Sequence, residues 1–558
     1  MEKYTVGRLV AEFLELNGAS TVFGIISVHN IPIMDGIAQR PGMRMVMTRG
    51  ETGGSHMADG FARASGRLGV IVSSTGPGAA NAVPGLVEAR FAGTPVLHIT
   101  GQSPQAVLGK GMGAVHDVPD QLGMLKSVCK AAFRVTSAHE ALDVLRRAVL
   151  EARTAPSGPV SVEIPIDIQR LAIARPSNPD AFAAVESVVR HPSAGDVDRL
   201  AQALMRARRP LIWAGAGARH AGAEIGAFLD EGLGMVTSWA GRGVVTDDHP
   251  QNLGALNGVG SPAVQDFYKT IDLMIVVGSR LRGHETLDQK APLPANLAQI
   301  DIDPEANGRT YANTLFVCGD CAATLSALMA RVRGRLAVEP GFAAEVRRVK
   351  AEAGEAYRAT LGPYASFPST LRAAVPADAV WVRDITISSN TWGHRLFPVH
   401  SQRDNIYPVG AGIGQGLQLG IGAAIGAGGR KVVVMTGDGG FFFNMTELWT
   451  AVQERANVVV IVMNDRGYGV IRHMQDAMCE GRYSYGDLLG PDLLKRGELA
   501  GIPAWRVSAP GEFGDVVAKA IAVDGPCLID VDMTAIGSAP PYFPYSEMIE
   551  KARAARGG

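Results

Sequence analysis

Short runs of β-branched and aliphatic residues, bounded by Gly, Pro, Asn or Asp, alternate along this chain with stretches of helical apolar spacing. That alternation predicts parallel strands joined by crossover helices, an α/β fold. The runs fall into three sets. The first, over 1–165, contains GVIVSS and PVLHITG and closes on PSGPVSVEIP. The second, over 191–335, contains PLIWAG, DLMIVVGS and LAQIDID; the third, over 365–540, contains KVVVMTGDGG, NVVVIVMNDRG and PCLIDVDM. We therefore expect three doubly wound parallel-sheet domains. Connectors are expected at 166–190, rich in Pro, Asn, Ala and Arg, and at 336–364, which is charged and helix-favouring, with a tail at 541–558. The first and third units match in length and layout, but their sequences differ too much to count as a repeat.

A chain of 558 residues is too long for a single core, in keeping with that division. With 47% apolar and 19% charged residues it has an ordinary globular composition, not a disordered one. Its 53 basic residues against 54 acidic ones give a formal net charge of −1. No basic tract favours nucleic acid or an anionic membrane. The N-terminal stretch reads as an amphipathic helix without the apolar run of a signal peptide, and no eighteen-residue apolar stretch predicts a membrane span. Five cysteines make no disulfide framework, and the Cys318–Cys321 CxxC lacks the second pair or histidines of a zinc site. A reducing cytoplasm fits this usage.

The densest chemistry lies in the third set. KVVVM runs into Thr436-Gly437-Asp438-Gly439-Gly440 and then a helix. A Gly-rich turn at a helix start offers backbone N–H groups to a phosphate, but Asp438 would repel it unless a cation lay between them. Mg²⁺ suits, being hard and commonly shared between carboxylates and phosphate. A second strand ends at Asn464-Asp465-Arg466-Gly467. Neighbouring strands of an open parallel sheet end at one crevice, so the two aspartates can meet on one metal. Each motif alone also reads as a tight turn or a helix cap.

Together the two motifs resemble the signature of thiamine-diphosphate (ThDP) enzymes: GDG, a spacer in the middle twenties, then an Asn-rich turn. The resemblance implies Mg²⁺ ligands at Asp438, Asp465 and the Gly467 carbonyl, although relatives usually carry a second asparagine where this chain has Asp465. It places Gly437, Gly439, Gly440, Tyr468, Gly469 and Val470 around the diphosphate and thiazolium. Glu51, after Arg49-Gly50, falls where the family has the glutamate that hydrogen-bonds the aminopyrimidine ring; alone it would read as a dipole-compensating cap. Ser74-Thr75-Gly76-Pro77-Gly78-Ala79-Ala80-Asn81 resembles the pyrimidine-binding turn, with Pro77 and Asn81 as contacts and Ile26 nearby. Gly410-Ala411-Gly412-Ile413-Gly414 matches the segment that bends the cofactor, Ile413 propping the two rings and the Ala411 carbonyl accepting from the amino group. Thr386, Ser388 and Ser389 fall in a diphosphate-contacting loop. The implied order is pyrimidine-binding, central and diphosphate-binding domains, with the cofactor enclosed between chains of a homodimer or tetramer.

Overall similarity points to an acetolactate-synthase-like carboligase or decarboxylase of a 2-oxo acid. Three departures keep other members open. Met474 stands where the synthase has a Trp, Val115-His116 where it has Phe-Gln, and the flavin segment is replaced by Gly278 to Glu285, which makes FAD doubtful. His29, beside Val28, resembles the aldehyde-lyase arrangement, and His29 and His116 can shuttle protons near neutrality. The alternatives are a decarboxylase of a larger 2-oxo acid, of benzoylformate or guanidino-oxo-acid type, and an aldehyde lyase. A non-catalytic nucleotide-binding protein is the remote alternative. The expected partner is a small 2-oxo acid or aldehyde.

Overall fold

The computed structural model describes residues 3–183, 186–257, 261–541 and 545–555. Its apolar runs form three all-parallel sheets, each with helices on both faces. The first comprises β1 (Thr21–Gly24), β2 (Arg44–Met47), β3 (Gly69–Ser73), β4 (Val96–Gln102), β5 (Ala131–Arg134) and β6 (Val160–Pro165), ordered β2-β1-β3-β4-β6-β5. The second comprises β7 (Pro210–Ala214), β8 (Gly234–Thr237), β9 (Leu273–Val277), β10 (Leu297–Asp301) and β11 (Leu315–Cys318), ordered β11-β10-β9-β7-β8. In the third, β12 (Val380–Arg383), β13 (Asn405–Ile406), β14 (Val432–Gly437), β15 (Val458–Asn464), β16 (Ala504–Val507) and β17 (Cys527–Asp532) run β13-β12-β14-β15-β17-β16. The first and third sheets thus share one strand order. Burial on both faces explains why their central strands read as continuous Val/Ile runs.

The third unit shares a core with each of the others. Phe23, Met57, Phe61 and Ile71 pack with Leu419, Ile421, Val434 and Phe441. On its other side Trp213, Val236 and Phe342 join Trp381, Trp392 and Met435. The seam between the first and third units is two helices, Glu51–Ser65 and Gly416–Gly426, set backbone to backbone. A Cβ on Gly60 would collide with the Leu419 carbonyl, and one on Gly422 with the Met57 carbonyl.

Both segments read as connectors carry packed structure. The 166–190 stretch begins with a short helix, Ile166–Arg170, and buries Ile168 and Phe182 in the first core; residues 184–185 of it lie outside the described residues. The 336–364 stretch holds the helix Phe342–Ala359, whose Phe342, Val346, Val349 and Ala353 stripe lies in the core of the second and third sheets. Its many charges mask that apolar spacing in sequence. In the tail, 542–544 and 556–558 lie outside the described residues, and a helix covers Tyr545–Ala555. Among the described residues no helix is long and apolar enough to cross a membrane.

Candidate active site

β14 and β15 are neighbours in register, Gly437 opposite Met463, so the chain leaves both at one edge of the third sheet. Asp438 opens the helix Asp438–Phe443 and Asp465 follows the end of β15. Asp438 is 1% exposed, and its Oδ1 has no hydrogen-bond partner. Burial, and then the Asp465 carboxylate, push the Asp438 carboxyl up to about 7. Asp465 is also raised by burial, against the pull of Arg472, which donates to its backbone carbonyl at 3.1 Å. A buried and a part-buried carboxyl that repel each other, the first with an orphaned oxygen, are what a divalent cation would relieve. Among the described residues no cluster of three or more His, Cys, Asp or Glu side chains is arranged to hold a metal. A cation here would therefore take two carboxylates, a backbone carbonyl and oxygens of its ligand, a set that fits Mg²⁺ better than zinc. Cys318 and Cys321 do not form such a cluster; Cys321 is buried at a helix start.

Around the pair, Tyr468 lies against Gly439, Thr386 flanks Gly437, and Gly469 and Val470 open the helix Gly469–Met478 that carries Met474. Ser388 is buried with its hydroxyl unpartnered. Ser389 is turned into the core, its hydroxyl 3.2 Å from His394 Nε2. Ala411 adopts φ 62°, a strained conformation for a residue with a Cβ, and Ile413 is 39% exposed.

At the equivalent edge of the first sheet, Glu51 opens its helix only 8% exposed, and Asn81 Nδ2 donates to its Oε2 at 3.4 Å. Pro77 begins the helix Pro77–Ala92 after Gly76, whose φ of 56° and ψ of −112° suit a residue lacking Cβ. Gln121 grips that turn: its Oε1 accepts from Thr75 Oγ1 at 2.9 Å and from Gly76 N at 2.6 Å, while its Nε2 donates to Glu163 at 2.8 Å. The His29 and His116 rings lie together, centroids 5.3 Å apart at 41°. Burial, and secondarily His116, lower the His29 imidazole below its usual range, and its Nδ1 has no partner. His116 sits at φ 64°, beside Val115, which is 70% exposed; Ile26 and Val28 are also exposed.

Residues that local sequence did not single out hold this frame. Asp384, buried after β12, accepts from Gly414 N and Gly416 N at 3.0 Å each and from Thr436 Oγ1 at 3.1 Å, tying the 411–416 segment to the end of β14. An Asp closing the strand VWVR was the one signal available. In the second unit Trp239 stacks on His394 at 4.4 Å and packs on His284 at 4.9 Å, while Glu285 accepts from its backbone N–H. Gly217 N donates to Gly278 O at 2.9 Å across the β7–β9 switch point. These contacts lie at the end of the second sheet beside its switch point, where nucleotides bind in such sheets.

Three parallel sheets bring a carboxylate pair to the edge of the third and the buried Glu51 to the edge of the first, an α/β frame whose paired acids suit a cation and a phosphate-bearing ligand. The family comparison makes it specific. Residues 4–124 match "Thiamine pyrophosphate enzyme, N-terminal TPP binding domain", residues 197–328 the central domain of the same family, and residues 387–531 its C-terminal TPP binding domain. The chain is 34% identical over 480 residues to the "Probable 2-ketoarginine decarboxylase AruI" of Pseudomonas aeruginosa, covering 84% of this chain and 83% of the relative. It is 28% identical to the acetolactate synthase isozyme 3 large subunit of Escherichia coli (97% and 96% covered) and 26% to a probable acetolactate synthase large subunit of Methanococcus aeolicus (96% and 94%). The chain belongs to the thiamine-diphosphate-dependent enzymes, acetolactate-synthase-like in organisation.

Proposed function

We propose that this chain is a Mg²⁺-dependent ThDP decarboxylase of a 2-oxo acid larger than pyruvate. The observation that carries the reading is the His29–His116 pair, 5.3 Å apart beside exposed Val115 and Val28 at the end of the first sheet. Two imidazoles at one substrate pocket supply a proton relay, which favours release of a protonated product over ligation to a second carbonyl. Met474 in place of a Trp leaves room for a longer side chain, and the 34% identity to a probable 2-ketoarginine decarboxylase supports an acid of that size.

Asp438, Asp465 and the Gly467 carbonyl would hold Mg²⁺, with Gly437, Gly439 and Gly440 beside the diphosphate and Thr386 and Ser388 flanking it. Bound there, ThDP supplies an electron sink next to the substrate carbonyl. The chain's own work is positional and acid–base. Glu51 would hydrogen-bond the aminopyrimidine, Asn81 and Pro77 would flank that ring, the Ala411 carbonyl would accept from its amino group, and Ile413 would pack against the cofactor. His29 is kept neutral by burial and relays protons with His116, which is open to solvent. The exposed Ile26, Val28, Val115 and Ile413 support a homodimer or tetramer in which a second copy covers each site.

A substrate panel tests this: pyruvate, benzoylformate and 5-guanidino-2-oxopentanoate, scored for CO₂, aldehyde and acetolactate. We expect a larger acid to exceed pyruvate at least tenfold in kcat/KM with aldehyde as product. Acetolactate from pyruvate as the main product would replace this reading with the synthase one, which the acetolactate synthase relatives favour.

A further inference from the structure

The equivalence of the first and third sheets extends to a pair of carboxylates between them. Glu88 lies on Pro77–Ala92, the helix after β3; Glu447 ends the short turn Met445–Glu447, in the crossover after β14. β3 and β14 are the third strands of their sheets. Both side chains are buried, 1% and 2% exposed. Glu88 accepts from two consecutive backbone amides of the third unit, Val409 N at 2.6 Å and Gly410 N at 2.9 Å. Glu447 accepts from two consecutive amides of the first unit, Arg49 N at 3.0 Å and Gly50 N at 3.1 Å. The clamped amides follow β13 and β2, the second strands of the two sheets. Each carboxylate has one further donor, Arg63 Nη2 at 2.8 Å for Glu88 and Thr450 Oγ1 at 2.6 Å for Glu447. The fit at Glu447 excludes any side chain on Gly53, whose Cβ would collide with the carboxylate.

We infer that Glu88 and Glu447 are reciprocal positioning residues, each fixing the backbone through which the other unit meets the cofactor. The clamped residues stop one position short of Ala411 and of Glu51. Two amides held by one buried carboxylate lock a peptide's orientation, and charge-assisted bonds of this kind are the strong ones. Without the carboxylate two backbone N–H groups at the seam lose their partners. The inference rests on the proposed reading that Glu51, Ala411 and Ile413 face ThDP. It separates the two roles: Glu88 acts on the arm that leads to Ala411 and Ile413, Glu447 on the placement of the Glu51 carboxylate.

Glu88→Asp and Glu447→Asp keep the charge but are one methylene too short for both amides. In the full-length, cofactor-stripped protein, ThDP with Mg²⁺ is titrated by calorimetry, and hydrogen exchange is followed in peptides spanning 47–52 and 407–412. Glu88→Asp should raise the ThDP Kd at least tenfold and speed exchange in 407–412 alone. Glu447→Asp should leave Kd within threefold of wild type and speed exchange in 47–52 alone. Wild-type Kd in Glu88→Asp, or losses equal in both variants and following a lowered melting temperature, would overturn the inference. Should either variant fail to fold, wild-type exchange decides: the four amides should be protected at least a hundredfold over exposed ones, and unprotected amides would overturn it. If the wild type itself does not bind ThDP, the proposed function falls while the exchange data still judge the clamps.

Discussion

The first and third sheets are built on one strand order and finish their equivalent strands with opposite chemistry. After the third strand, the first unit turns through uncharged Thr75-Gly76-Pro77, while the third unit places Asp438. After the fourth, Gln102-Ser103 faces Asn464-Asp465. After the second, the assignment inverts: the first unit ends in Glu51 and the third in Ala411. The shared frame determines where the loops converge, and the residues at the strand ends determine what can bind. One edge offers a single buried carboxylate, Glu51; the other offers a carboxylate pair that suits a cation and a phosphate.

Substitutions at the two edges should therefore fail differently. Glu51→Gln should lower turnover by about 10³-fold, within the range of general acid–base groups, while ThDP still binds; steady-state kinetics with calorimetry checks both halves. Asp438→Asn should weaken Mg²⁺-dependent ThDP binding by at least roughly 100-fold, more than loss of a residue that only orients a ligand, read by titration. His29→Ala should slow CO₂ release by about 10²-fold with little change in cofactor affinity, a split between kcat and Kd that separates pocket from frame.

pH sharpens the contrast. The Asp438 carboxyl lies at about 7 in the folded chain against an ordinary 3.8, so the fold binds its proton more tightly than the unfolded chain does. That contribution stabilises the apo-protein fully below about pH 4 and is lost as pH rises through 7. Mg²⁺ needs the ionised form, so cofactor affinity should rise through the same window and level off above it, with Asp438→Asn weakening the dependence to what Asp465 alone contributes. Last, Gly60→Ala overpacks the seam and should cost about 1–3 kcal/mol of stability, measured by denaturant unfolding, with the metal site's affinity unchanged.

Much of this was legible in the chain because it rests on local pattern. Val/Ile runs ending in Gly-Asp-Gly and Asn-Asp mark strand ends whatever the tertiary structure. Glu51 was legible only by resemblance, since a glutamate at a helix start has an ordinary capping role. Glu88, Glu447, Asp384 and Gln121 were not legible: each binds a backbone amide of a distant or separately folded segment, and an amide leaves no mark in a sequence. The same holds for the common strand order, since parallel sheets accept any β-branched run, and for Phe342–Ala359, whose apolar stripe is hidden among charges. Ser389 shows the converse, a motif residue that the fold turns toward His394.

The most direct test of the account is calorimetric titration of the metal-free, full-length protein with ThDP, with and without Mg²⁺. Binding should be tight with Mg²⁺ and weaken at least roughly a hundredfold when the cation is chelated, and likewise in Asp438→Asn. Equal affinity with and without a divalent cation would contradict a metal-bridged diphosphate at Asp438 and Asp465.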